Sequence, residues 1–207
     1  MDIAEYGNAS ASIVLIQPIS GHDHDMIERE IEHIRESTAE DFRLIAVRVK
    51  DWNNDLSPWE APAVFGKEGF GGRAEDTLEE VLKHCEDRSN RYYIGGYSLA
   101  GLFALWAACQ SDIFHGVAAA SPSVWYPGFA DYINGHEIRS PKVYLSLGDK
   151  EEKTRNPVMA TVGDRIRDMY ELLKKRNVSC TLEWNEGNHF KDADLRTARA
   201  FSWVLIQ

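Results

Sequence analysis

The chain is short of basic residues, short of cysteine, and without a long apolar run. Lys and Arg number 23 against 33 Asp and Glu, a net charge of −10. A surface that acidic repels nucleic acid and anionic membrane surfaces, which argues against both as partners. Cys85, Cys109 and Cys180 are odd in number, widely spaced and without a CxxC pair. Neither a disulfide framework nor a cysteine zinc site is expected, and the three read as buried small apolar groups. No apolar stretch approaches the ~20 residues that a membrane span needs. The opening Met1-Asp2-Ile3-Ala4-Glu5 has neither the basic start nor the apolar stretch of a signal peptide. Repeats, low-complexity tracts and Pro/Gly/Ser linkers are also absent. The expectation is a reduced, cytoplasmic, globular protein with one domain over residues 1–207, since domains commonly run about 100–200 residues.

What is present is alternation. Short β-rich apolar runs stand at Ser12–Ile16, Phe42–Val49, Tyr92–Gly95, Val117–Ala120, Val143–Leu147 and Cys180–Trp184. Between them lie helical stripes: Ile27, Ile31 and Ile34; Leu78, Val81, Leu82 and Cys85; and Val158, Val162, Ile166, Met169 and Leu173. Asn156 and Pro157 supply a cap and a first helical residue for the last of these. Runs such as Ile13-Val14-Leu15-Ile16 do not alternate with polar residues, as in parallel strands covered on both faces. Strand-then-helix order predicts a three-layer α/β fold with a mostly parallel sheet, whose chemistry sits at the carboxyl ends of the strands. The irregular stretch Lys50–Arg73, with Trp52, Trp59 and Phe65, reads as an ordered covering loop.

One strand end carries a recognisable turn. Tyr92-Tyr93-Ile94 runs into Gly95-Gly96-Tyr97-Ser98-Leu99-Ala100-Gly101 and then an apolar helix. A sharp strand–turn–helix needs small residues two positions either side of the serine, and Gly96 and Ala100 satisfy that. It lifts the Ser98 hydroxyl above the sheet edge at a helix N-terminus, where free N–H groups favour developing negative charge. A serine nucleophile needs a base and an orienting carboxylate, in the chain order serine, acid, histidine. Val143–Leu147 ends in Gly148-Asp149-Lys150-Glu151-Glu152, and Cys180–Trp184 ends in Asn185-Glu186-Gly187-Asn188-His189-Phe190. Acid and base candidates thus fall at strand ends in the required order. A solvated loop is the bland alternative for the acidic run.

Gly96-Tyr97-Ser98-Leu99-Ala100-Gly101, Ser121-Pro122-Ser123-Val124-Trp125-Tyr126, Tyr144-Leu145-Ser146-Leu147-Gly148-Asp149-Lys150-Glu151 and Glu186-Gly187-Asn188-His189-Phe190 together resemble the putative esterase family of α/β-hydrolases. That family includes esterase D-like, feruloyl-esterase-like and siderophore-trilactone esterases, and the resemblance covers roughly residues 12–205. It implies a serine esterase without a cofactor or metal, acting on a small-molecule carboxylic ester, with Ser98 as nucleophile and His189 as base. In related hydrolases the acid commonly stands third after the strand-ending glycine, which ranks Glu151 first, Asp149 second and Glu152 third. Leu99 and Ile19 are the expected oxyanion donors. Trp52, Trp59, Trp125 and Tyr126 are expected to line or lid the pocket, plain core being the alternative. The chain departs from the family in three places. Ala100 replaces the usual glycine, and Gln17-Pro18-Ile19-Ser20 stands where His-Gly is familiar. The first two antiparallel strands are expected to be missing, which shortens the fold at its N-terminus.

Gly21-His22-Asp23-His24-Asp25 suggests the metal motif H-x-H-x-D-H, but Met26 and Ile27 occupy the positions of its aspartate and third histidine. His33, His84, His115 and His136 read as surface or packing residues. Two other functions share the same residues. A thioesterase or peptidase can use the same triad, and an α/β-hydrolase fold can serve as a non-catalytic binding protein.

Overall fold

In the computed structural model of the chain, residues 1–21 and 24–206 are described. The order is β1 (Asp2–Gly7), β2 (Ile13–Ile19), α1 (His24–Ser37), β3 (Phe42–Arg48), α2 (Trp52–Asp55), β4 (Glu60–Ala61), β5 (Phe70–Gly71), α3 (Ala74–Leu82), β6 (Arg91–Tyr97), α4 (Leu99–Gln110), β7 (Phe114–Ala120), α5 (Phe129–Gly135), β8 (Lys142–Gly148), α6 (Val162–Lys175), β9 (Ser179–Asn185) and α7 (Ala193–Leu205). Among the described residues seven strands form one sheet in the order β1-β3-β2-β6-β7-β8-β9. All neighbours pair in parallel except β1 with β3.

The apolar strand runs are explained by two buried layers. Val14 and Ile16 join a cluster with α3, α4, α5 and α6 residues, whereas Ile13 and Leu15 join another with residues of α1 and α7. Successive side chains on a strand point to opposite faces, so a strand covered on both sides must be apolar throughout. Helix α4 goes further, with every residue from Leu99 to Cys109 buried. A helix apolar all round belongs in an interior, and this one fixes the turn that precedes it.

Two expectations need adjustment. The chain does not begin at the oxyanion strand: β1 pairs antiparallel with β3 from Asp2 to Gly7. Its residues are only half-buried or exposed, because it is an edge strand, and so it lacks a continuous apolar run. Asn156 does cap, its Oδ1 accepting from the Val158 and Met159 N–H groups at 3.0 and 3.2 Å. What it caps is a 3₁₀ turn over Met159–Thr161 that leads into α6, and Val158 is exposed. The covering segment Lys50–Arg73 is ordered around Asp55, whose carboxylate accepts from the Lys50 and Asp51 amides and pairs with Arg73. The side chains of the His22-Asp23-His24-Asp25 run lie outside the described residues. No helix among the described residues is long and apolar enough to cross a membrane.

Candidate active site

Ser98 stands between β6 and α4 with φ 58° and ψ −120°. A non-glycine residue at positive φ stores about 1–3 kcal/mol of strain and persists only when its surroundings hold it. Three backbone bonds do so here. The Ser98 amide donates to the Ala120 carbonyl, and the Leu102 and Ser123 amides donate to the Ser98 carbonyl, each at 3.1 Å. The demand for small neighbours is equally concrete. A Cβ on Gly96 would lie 2.6 Å from that of Ala100, and one on Gly101 would lie 3.0 Å from the Gly96 carbonyl oxygen.

His189 follows the β9 turn, and its Nε2 lies 2.9 Å from Ser98 Oγ. Its Nδ1 lies 2.6 Å from Glu151 Oε2. Glu151 is therefore the carboxylate that meets the histidine. The two loops that carry Glu151 and His189 are laced together. The Asp149 amide donates to the Asn185 carbonyl, the Lys150 amide to the Gly187 carbonyl, and the Gly187 amide back to Asp149 Oδ1 at 2.7 Å. That last bond holds the Asp149 carboxyl below its ordinary range. So Asp149 fixes the turn that carries His189 and does not touch the ring. Glu152 turns away to a surface pair with Arg167.

No family model matches the sequence, and no curated protein matches it. Solved structures do match. A siderophore hydrolase, EstA from Aspergillus nidulans, is 22% identical with a TM-score of 0.69, over 97% of this chain and 86% of that one. An IroE-like serine hydrolase from Shewanella oneidensis is 12% identical with a TM-score of 0.77, over 97% and 74%. A carboxylesterase from Bacillus cereus is 15% identical with a TM-score of 0.61, over 99% and 95%. The fold is that of an α/β-hydrolase. These neighbours fall within the esterase group that the four sequence motifs resemble.

Within this fold the Glu151 carboxylate is heavily tethered. Oε1 accepts from the Gly148 amide at 2.7 Å, from Ser121 Oγ at 2.8 Å and from Arg196 Nη1 at 3.1 Å. Arg196 is buried to 1% exposure, and it also donates to the Tyr97 hydroxyl and the Glu186 carbonyl. Tyr97 completes the ring by donating to the His189 carbonyl at 2.9 Å. Burial pushes the Tyr97 hydroxyl above its ordinary range, so it stays protonated and able to donate at neutral pH. The Ser-Pro-Ser element serves both ends of the relay. Ser121 binds Glu151, and Ser123 Oγ lies 3.3 Å from Ser98 Oγ.

One cleft opens beside Ser98 and another beside His189. The first is lined by Gln17, Pro18, Ile19, Trp52, Tyr97 and Ser98. The other, of about 310 Å³, lies against His189 and Glu151 with Trp125, Met159, Val162 and Phe190 in its walls. Leu99 opens α4, and the first N–H groups of a helix have no partner within it. Ile19 ends β2 and lines the same cleft as Ser98, but its carbonyl accepts from the Val49 amide at 3.0 Å. In a strand the N–H of a residue points the same way as its carbonyl, so the expected oxyanion donor faces β3 and not Ser98. The aromatic residues divide. Trp52 and Trp125 line the two clefts, whereas Trp59 and Tyr126 pack on each other with ring centroids 5.7 Å apart. Trp59 Nε1 donates to the Pro127 carbonyl, and Tyr126 borders only a neighbouring cleft.

Sequence reasoning missed Arg196, Tyr97 and Ser121 as parts of the site. Arg196 left one signal: it is in helical step with the buried Ala200 and Val204, a charge on the apolar stripe of α7. Such a charge needs a buried partner.

Proposed function

We propose that the protein is a serine esterase that cleaves a small carboxylic ester through an acyl-enzyme. The observation that carries this reading is the continuous relay from Ser98 Oγ through His189 to Glu151, with links of 2.9 and 2.6 Å. In it Ser98 attacks the ester carbonyl carbon while His189 Nε2 takes the hydroxyl proton. Glu151 holds the ring so that Nδ1 carries its proton toward the carboxylate and Nε2 faces the serine. The Leu99 N–H group holds the oxyanion together with a second donor from the loop after β2, each such donor being worth about 10²–10³ in rate. The tetrahedral intermediate collapses, His189 returns the proton to the departing alcohol, and water then cleaves the acyl-enzyme by the same steps. The partner is a small-molecule ester, since a net charge of −10 works against nucleic acid or an anionic membrane surface. The free thiols of Cys85, Cys109 and Cys180 support a reducing, cytoplasmic setting.

A fluorophosphonate probe tests the reading. It should label Ser98 in the folded protein, and Ser98→Ala should lose both labelling and hydrolysis of aryl acetates with its fold intact. A folded wild-type protein that takes no label would point instead to a non-catalytic binding protein. A label together with faster turnover of thioesters or peptides than of matched esters would move the acyl donor to one of those classes.

A further inference from the structure

The cleft on the His189 side carries two positive charges on a chain whose net charge is −10. Trp125, Met159, Val162 and Phe190 make its walls, and the exposed Lys150 and Lys153 stand among its lining residues. Phe190 is 88% exposed beside His189, an aromatic face set where a ligand would cover it. Neither lysine has an ion-pair partner among the described residues, although the chain has a surplus of acid. The carboxylates of this corner are engaged elsewhere: Glu151 with His189 and Arg196, Glu152 with Arg167, and Glu186 with Lys191. Asp149 feels both lysines at longer range but is bonded to the Gly187 amide and does not line the cleft.

Resting on the esterase reading, we infer that this cleft takes the alcohol half of the ester, and that this half is apolar next to the ester oxygen and anionic at its far end. The side is set by the chemistry. His189 must hand its proton to the leaving oxygen, so the alcohol departs on the histidine's side. The acyl half keeps to the cleft that Ser98 and Ile19 line. The charge is set by the lysines. Bulk negative charge acts only over about 8 Å at physiological ionic strength, and within this corner the two ammonium groups outnumber Asp149, the one carboxylate there without a cation bonded to it. Their aliphatic stems extend the apolar wall while their heads stay in water.

The experiment compares kcat/KM for benzyl acetate and for 4-(acetoxymethyl)benzoate, which differ only by a carboxylate at the far end of the alcohol. Wild type should prefer the charged ester. In Lys150→Gln/Lys153→Gln the charged-to-neutral ratio should fall about tenfold, the size of two partly exposed ion contacts. Lys150→Arg/Lys153→Arg should keep the ratio, and added salt should lower it in wild type more than in the Gln variant. An unchanged ratio in the Gln variant, with both esters still turned over, would overturn this inference and leave the esterase reading standing. Hydrolysis of neither ester by the folded wild type would overturn both.

Discussion

Arg196 Nη1 lies 3.1 Å from Glu151 Oε1, and the two side chains are 2% and 5% exposed. The other oxygen of the same carboxylate meets His189. One carboxyl group therefore joins a buried cation from the last helix to the His189 ring. A buried ion pair is not a free gain in stability, but removing one partner leaves an uncompensated charge. This pair holds the Glu151 carboxylate at the point where β8, β9 and α7 meet.

Arg196→Met should therefore destabilise the fold by about 3–5 kcal/mol, read as a drop in the urea midpoint. Arg196→Lys should recover part of it, because it keeps the charge but loses the fork that reaches both Tyr97 and the Glu186 carbonyl. Equal stability of the Met variant and wild type would show that the pair contributes nothing.

The three neighbouring carboxylates separate by substitution. Glu151→Gln should lower kcat by about 10⁴, the scale seen when a triad acid becomes an amide and the histidine loses its tautomer. Asp149→Asn keeps an acceptor for the Gly187 amide, and Glu152→Gln loses only a surface pair with Arg167, so both should be mild. A severe Asp149→Asn with a near-normal Glu151→Gln would transfer the role to Asp149. Mild effects in all three would indicate a Ser–His dyad.

The parts legible in the sequence were those written locally. Ser98, His189 and Glu151 each follow an apolar strand run, and Gly96 and Ala100 announce the turn by size alone. What the sequence hid depends on meetings between distant segments. Ser121 and Arg196 reach Glu151 across 30 and 45 residues, and nothing adjacent to either marks the contact. Strand β1 was hidden for a different reason: an edge strand buries little, so its periodicity is weak. Likewise, Trp52 and Trp59 occupy one covering segment, yet only Trp52 lines a cleft beside Ser98.

Burial pushes the Cys85 and Cys109 thiols up to about 12. A raised value means that the reactive thiolate is scarce at pH 8, and the folded chain also blocks access. Ellman's reagent at pH 8 should therefore titrate at most one thiol quickly in the native protein, the half-buried Cys180, and all three after denaturation. Rapid native reaction of two or more would show that the packing around α3 or α4 opens readily.

Trp125 lines the His189-side cleft while 8% exposed, and its ring sits 6.0 Å from Phe65 and 6.3 Å from Phe70. It thus belongs both to the cleft wall and to the packing that ties the covering segment to the sheet. Trp125→Ala should cost about 3–5 kcal/mol as a large-to-small core change, and it should also widen the cleft. The two consequences are separable in a series of acetate esters of graded alcohol length. A wall residue shifts the optimum toward bulkier alcohols, because the vacated volume lies where they bind. A packing residue lowers the denaturation midpoint and leaves the order of preference as it was. Trp59→Phe supplies the contrast: it removes the bond to the Pro127 carbonyl in a residue that lines neither cleft. Its midpoint should fall, and its ester preference should match wild type. A shifted preference in Trp59→Phe with none in Trp125→Ala would reverse the assignment of wall and support.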